Sequence, residues 1–193
     1  MPLPVPDLER ELLHTRRVRY EGYRRADGCW DIEAHLTDVK SHDDPLMTGL
    51  RRAGQLIHEM WVRVTIDRRF NVVAVAASSD AVPYPGGCDK APPVYQKLVG
   101  TNLARGFRAR VRELVGGVQG CTHMTEMLAG LPTAAVQTFA GEAREDRDDG
   151  VKPFQLDQCL ALDTAGDTVR RWYPKWHRTE RSVAAEGGTA PQN

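Results

Sequence analysis

Cys121 and His123 stand two residues apart at the head of an apolar-periodic segment that continues through Met124, Met127, Leu128 and Leu131. A thiol and an imidazole at that spacing can ligate a transition metal, or can pair a nucleophile with its base. The run before them, Gly116-Gly117-Val118-Gln119-Gly120, lets the backbone turn tightly. Thr122 is a good helix N-cap, and a helix N-terminus lowers the pKa of a thiol beside it. The pair is not a complete site, so other donors must converge on it. Cys88, in a Pro/Gly loop after an apolar strand, and Cys159, near the C-terminus, are the expected partners. Cys88, Cys121, His123 and Cys159 are therefore the expected metal ligands, and sulfur with imidazole suits zinc or iron. His58 and Asp31 are the expected base or supporting residues. Cysteine is also a small hydrophobe, so each thiol taken alone reads equally as packing, and Cys29 is read that way. Asp38 follows a strand and suits a loop anchor as well as a cation; Asp67 reads as a turn residue. The glycine pairs are too short to argue for nucleotide binding, and no GxSxG, P-loop, HExxH or dinucleotide fingerprint occurs.

The elements that must carry these residues show in the periodicity. Trp30, Ile32, Ala34 and Leu36 alternate with Asp31, Glu33, His35 and Thr37, which predicts a half-buried strand after the turn Ala26-Asp27-Gly28. Met60, Val62, Val64 and Ile66 alternate in the same way, with His58 on their face. Asp67-Arg68-Arg69-Phe70 turns into residues 72–77, whose lack of a polar face predicts a central strand or one covered on both sides. Residues 80–93 read as a long loop. Helical patterns follow at 94–103, 107–115 and 122–130; Pro132 interrupts the last, with a further helix at 133–142. Residues 143–150 read as a solvated linker, and 154–173 as a hairpin-like unit that carries Cys159, with Trp172, Tyr173 and Trp176 as a packing element.

The expected fold is α+β: one domain over 20–176, with an antiparallel sheet of about four strands and three or four helices on one face. A Pro-rich, then basic, arm precedes it at 1–19, and a disordered tail follows at 177–193. At 193 residues the chain is long enough to bury a sizeable core. Zero formal charge argues against nucleic acid or an anionic membrane as the main partner. No apolar run spans a bilayer, and the N-terminus lacks the pattern of a signal peptide, so a cytoplasmic location is expected. In a reducing compartment four scattered cysteines, with no CxxC pair, are thiols or ligands, not disulfides.

Several separated motifs occur in order: Gly22-Tyr23-Arg24-Arg25-Ala26-Asp27-Gly28 with Trp30-Asp31-Ile32-Glu33, His58-Glu59-Met60, Thr65-Ile66-Asp67, Cys88, Gly120-Cys121-Thr122-His123, and Leu156-Asp157-Gln158-Cys159. Together they resemble a bacterial family catalogued as a domain of unknown function, number 2889. The resemblance implies a bacterial cytoplasmic protein and supplies no mechanism. A second, architectural resemblance is to iron–sulfur scaffold and sulfur-acceptor proteins, which also place an antiparallel sheet before a Cys-bearing loop and helices. Their Cys-Gly-Asp ligand has Cys29-Trp30-Asp31 as its nearest counterpart here, and their adjacent His-Cys pair is split by Thr122.

The leading expectation is a zinc- or iron-binding protein, a metal-dependent enzyme on a small-molecule substrate if one coordination position stays open. Two alternatives stand beside it. One is a scaffold or sulfur acceptor in which Cys121 or Cys88 takes persulfide; the other is a non-catalytic module with a structural zinc. Whether the chain forms a homo-oligomer is left open.

Overall fold

The computed structural model describes residues 3–140, 150–153 and 155–179. The polypeptide clusters into two compact units, residues 1–142 and 143–193. The first has the α+β architecture expected for the span 20–176, which this division cuts at residue 142. Its four-stranded antiparallel sheet has the order β1 (His14–Arg24), β2 (Trp30–Lys40), β5 (Leu56–Ile66), β6 (Val72–Ala81). Between β2 and β5 a separate short hairpin is made by β3 (Asp44–Leu46) and β4 (Gly49–Arg51).

Alternation fixes which face is buried. Trp30, Ile32, Ala34 and Leu36 on β2, with Met60, Val62, Val64 and Ile66 on β5, are all nearly inaccessible to solvent. Burying one such side chain contributes about 1.5–3 kcal/mol, so this register is strongly preferred over a one-residue slip. The turn into β2 is held by Asp27, which accepts from the Cys29 amide. The turn into β6 is held by Asp67, which accepts from the amides of Arg69 and Asn71 and from the Asn71 side chain. The same inward face of β2 ends in Asp38, which is 2% exposed.

Two strands differ from the expectation. β1 begins at His14, inside the segment read as an arm. Its arginines hide the alternation, because Arg16 pairs in register with Asp38 and so lies on the inward side. β6 is neither central nor covered on both faces. It is an edge strand that runs on to Ala81, with Val73, Ala74 and Ala76 exposed. Its outer edge is closed at one end by the loop at Gly100 and Thr101, which exchanges backbone hydrogen bonds with Val72.

Three helices cover the inward face: α1 (Phe107–Val115), α2 (Thr122–Leu128) and α3 (Leu131–Phe139). Residues read as helical at 94–103 form a 3₁₀ stretch over Pro92–Leu98 instead, where two prolines remove backbone donors. Pro132 lies in the first turn of α3, where its missing N–H costs nothing, so it starts a helix. Phe139 of α3 packs on Trp30 and Phe70, with centroids 4.4 and 4.7 Å apart. α3 reaches β1 over Gly22, where any Cβ would lie 1.8 Å from Thr138 Oγ1. None of the described helices is long and apolar enough to cross a membrane.

Among its described residues the second unit has short turns, 3₁₀ turns and one α-helix, α4 (Asp167–Trp172), where a hairpin-like unit was expected. Asp167 in the first turn and Arg170 and Arg171 in the last complement the helix dipole, which favours helix over strand. Asp157 organises the turn before it. It accepts from the backbone and hydroxyl of Thr164 and from Lys152 and Arg178. Trp172 does not pack as expected; it is 66% exposed, with the Arg171 guanidinium over its ring. The linker at 143–149, Phe154 and the tail from 180 lie outside the described residues.

Candidate functional site

Where the inward face of the sheet turns polar, four strand residues meet. Arg16 and Asp38 are register partners across β1 and β2, and Asp38 and His58 are partners across β2 and β5. The Asp38 carboxylate accepts four hydrogen bonds. Arg16 donates from Nε (2.9 Å) and Nη2 (2.8 Å), His14 from Nε2 (2.9 Å), and His58 from Nδ1 (2.9 Å). A carboxylate has about four acceptor positions, so this one is saturated. Burial pushes its pKa up, but hydrogen bonds from Arg16 and His14, with the charge of Arg16 and the proximity of His58, outweigh that and hold it down at about 2. The same bonds push the Arg16 guanidinium upward.

Helix α2 brings the remaining groups. The His123 ring lies against that of His58, with centroids 4.0 Å apart and planes tilted by 40°. Arg16 Nη1 reaches Glu126 Oε2 at 3.1 Å, one turn after His123, and so ties α2 to β1. Asp38, His58 and His123 each place one ligand-competent atom within 4.8 Å of the others. Burial lowers the pKa of both imidazoles, with each feeling a further positive neighbour: His123 for His58, and Arg16 for His123. Near neutral pH they are therefore uncharged. His58 must keep its proton on Nδ1, facing an acceptor-only carboxylate, which leaves Nε2 as a free lone pair.

Cys121 is the N-cap of α2, one residue earlier than the cap expected at Thr122. Its backbone is clamped by Tyr95, whose hydroxyl accepts from the Cys121 N–H (3.0 Å) and donates to its carbonyl (2.9 Å). Gly120 is required there by close approach: a Cβ would fall 2.4 Å from the Val115 carbonyl oxygen and 3.1 Å from the Tyr95 hydroxyl. The half-buried Cys121 Sγ lies 3.9 Å from His123 Nδ1 and 3.9 Å from Met60 Sδ.

His123, Cys121 and His58 are thus brought together. Of the other expected residues in the first unit, Asp31 and Cys88 are not. Asp31 lies on the opposite face of the sheet, accepting from Thr65 Oγ1 (2.6 Å) and pairing with Arg25 (3.2 Å), so it cannot serve His58. Cys88 opens a 3₁₀ turn against the core and, among the described residues, joins no group of three metal-ligating side chains. Cys159 is an exposed free thiol of the second unit. Cys29 sits beside Trp30 at the far end of β2. Trp30 and Leu36, the partner of Met60, are about 20 Å apart at the rise of a strand, so the Cys29-Trp30-Asp31 counterpart of an iron–sulfur ligand is remote from Cys121. His14 and Arg16 were not anticipated. Asp38, read from the sequence as a loop anchor or a cation ligand, lies within β2, where continuing the alternation of Trp30 to Leu36 by one step puts its carboxylate on the buried face.

No curated protein and no solved structure matches the chain. The family model described as "Protein of unknown function (DUF2889)" matches residues 14–137, from the first residue of β1 into α3. Every residue of the site lies inside that span, and the chain belongs to the DUF2889 family.

Proposed function

We propose that the inner site binds a divalent transition metal, zinc or ferrous iron, through His58 Nε2 and His123, and presents it to a small molecule. One observation carries this reading: two imidazoles meet at 4.0 Å while a saturated carboxylate holds the far nitrogen of one of them. A metal-bound histidine characteristically donates its other ring N–H to a carboxylate, which fixes the tautomer and raises ligand basicity. Asp38 is in that relation to His58, and its four hydrogen bonds favour orienting the ring over ligating the ion. With few protein ligands, positions remain for water and substrate, and the ion would polarise a carbonyl or activate water. The test is elemental analysis of untagged protein. Near-stoichiometric zinc or iron that is lost in His58→Ala and in His123→Ala supports the reading; metal-free protein, or metal retained in both variants, refutes it.

A sulfur-acceptor role is the second reading, favoured by the 3.9 Å approach of Cys121 Sγ to His123 Nδ1. A neutral imidazole there can take the thiol proton and leave a nucleophilic thiolate. Persulfide on Cys121 after incubation with a low-molecular-weight persulfide, whose S–S bond is broken by the Cys121 thiolate and which leaves as its thiol, absent in Cys121→Ser, would favour it over the metal.

A further inference from the structure

The outward face of the sheet carries a second constellation. Cross-strand register lines up Arg19, His35, Trp61 and Ser78 on the four strands in turn. The His35 ring stacks on the Trp61 indole, with centroids 3.6 Å apart and planes within 11°, and Glu59 Oε1 fixes the imidazole at 3.2 Å. One face of the indole is thereby covered and its plane set. On the other side β6 offers only Ala76 and Ser78. A large side chain there would ordinarily pack on the tryptophan. Two small ones leave a groove of about 460 Å³, lined by Trp61, Ala76, Ser78, Glu33, Arg63 and Asp80. That is the size of a small-molecule site.

The chemistry of the rim selects the occupant. Arg63 is paired to Glu33 at 2.6 Å, and the Asp80 carboxylate has no hydrogen-bond or ion-pair partner among the described residues. Two carboxylates disfavour a phosphate or another anion. A cation is disfavoured by Arg19, whose guanidinium already lies 5.8 Å from the indole centroid. What remains is a neutral ring with an apolar face and a polar circumference. The C–H bonds on one face of a pyranose suit the negative face of an indole, while its hydroxyls donate to Asp80 and Glu33 and accept from Arg63. We infer that this groove binds a pyranose unit of a carbohydrate. The site is independent of the metal reading, because it lies on the other face of the sheet.

The experiment uses the full chain labelled with 5-fluorotryptophan, and cellohexaose, chitohexaose, xylohexaose, mannohexaose and maltohexaose as probes. The fluorine signal of Trp61 is identified by its loss in Trp61→Phe. At least one saccharide should shift that signal saturably, with the signals of Trp30, Trp172 and Trp176 unmoved. Calorimetric affinity should fall at least tenfold in Trp61→Ala and in Ser78→Phe, which fills the groove, while both variants keep the wild-type thermal midpoint to within a few degrees. The inference is overturned if no saccharide moves the Trp61 signal, if Trp61→Ala and Ser78→Phe both bind as the wild type does, or if tetramethylammonium binds there in place of every sugar.

Discussion

Asp38 faces His58 across adjacent strands, its Oδ2 accepting from the imidazole Nδ1 at 2.9 Å, and it does so at a position that is 2% exposed. A buried carboxylate is costly unless it is paired and fully hydrogen-bonded. Here Arg16 and His14 provide that compensation, and the benefit is a histidine of fixed tautomer. The arrangement joins β1, β2 and β5, and through Glu126 it reaches α2.

Asp38→Asn should be strongly destabilising. It leaves the shape but removes the charge facing Arg16, His14 and His58. Removing one partner of such a buried pair costs roughly 3 kcal/mol. Urea unfolding should show the midpoint falling with the slope unchanged. A loss below about 0.5 kcal/mol would mean that the carboxylate is not an organising group.

Stability should fall on acidification in two stages. His58 and His123 have pKa values lowered in the folded state, so the unfolded chain binds their protons first. Their contribution is complete above the unfolded value, about 6.5, and is lost as pH drops through the lower folded values. Asp38, held at about 2, adds a second loss between about pH 4 and pH 2, worth roughly 2 kcal/mol. Thermal midpoints measured from pH 8 to pH 3 should therefore decline with the first drop below about 6.5. In a His58→Gln, His123→Gln double variant the first stage should vanish and the second remain.

Tyr95→Phe should loosen Cys121 without opening the core. The buried hydroxyl serves both the N–H and the carbonyl of Cys121, and losing it leaves two polar groups short of a partner. The expected cost is about 2 kcal/mol. Hydrogen exchange at the Cys121 amide should speed up at least tenfold while amides in the middle of β5 change only by the global difference.

Zinc affinity should depend on Asp38 even though the carboxylate does not ligate. At a temperature where Asp38→Asn is still folded, competition with a chromophoric chelator should show affinity falling by about 10–100-fold, the usual cost of losing an orienting partner. An unchanged affinity would place Asp38 in a purely structural role.

Much of this was readable in the chain, and the failures have physical causes. The alternation on β2 and β5 gave the sheet, its buried face and the side on which His58 lies. The same parity already separated Asp31 from His58: Asp31 alternates with Trp30, whereas His58 shares a face with Met60. Asp38 is in phase with Trp30 and Leu36, so its burial followed from counting by two. β1 was hidden because its inward positions include Arg16, whose inward placement makes sense only once Asp38 is opposite it. Cys121 and His123 were found because they are local to one helix start. Cys88 was misjudged because convergence of distant loops depends on tertiary placement, which no periodicity encodes.

The most direct test of the inner site is nitrogen NMR of the protein with ¹⁵N-labelled histidine rings, titrated with zinc at neutral pH. At one equivalent, His58 Nε2 and one ring nitrogen of His123 should move to the positions of metal-bound nitrogen, while His58 Nδ1 stays protonated against Asp38. The account is contradicted if the rings of His58 and His123 do not respond, or if zinc is taken up by His14, His35, His42 or His177 instead.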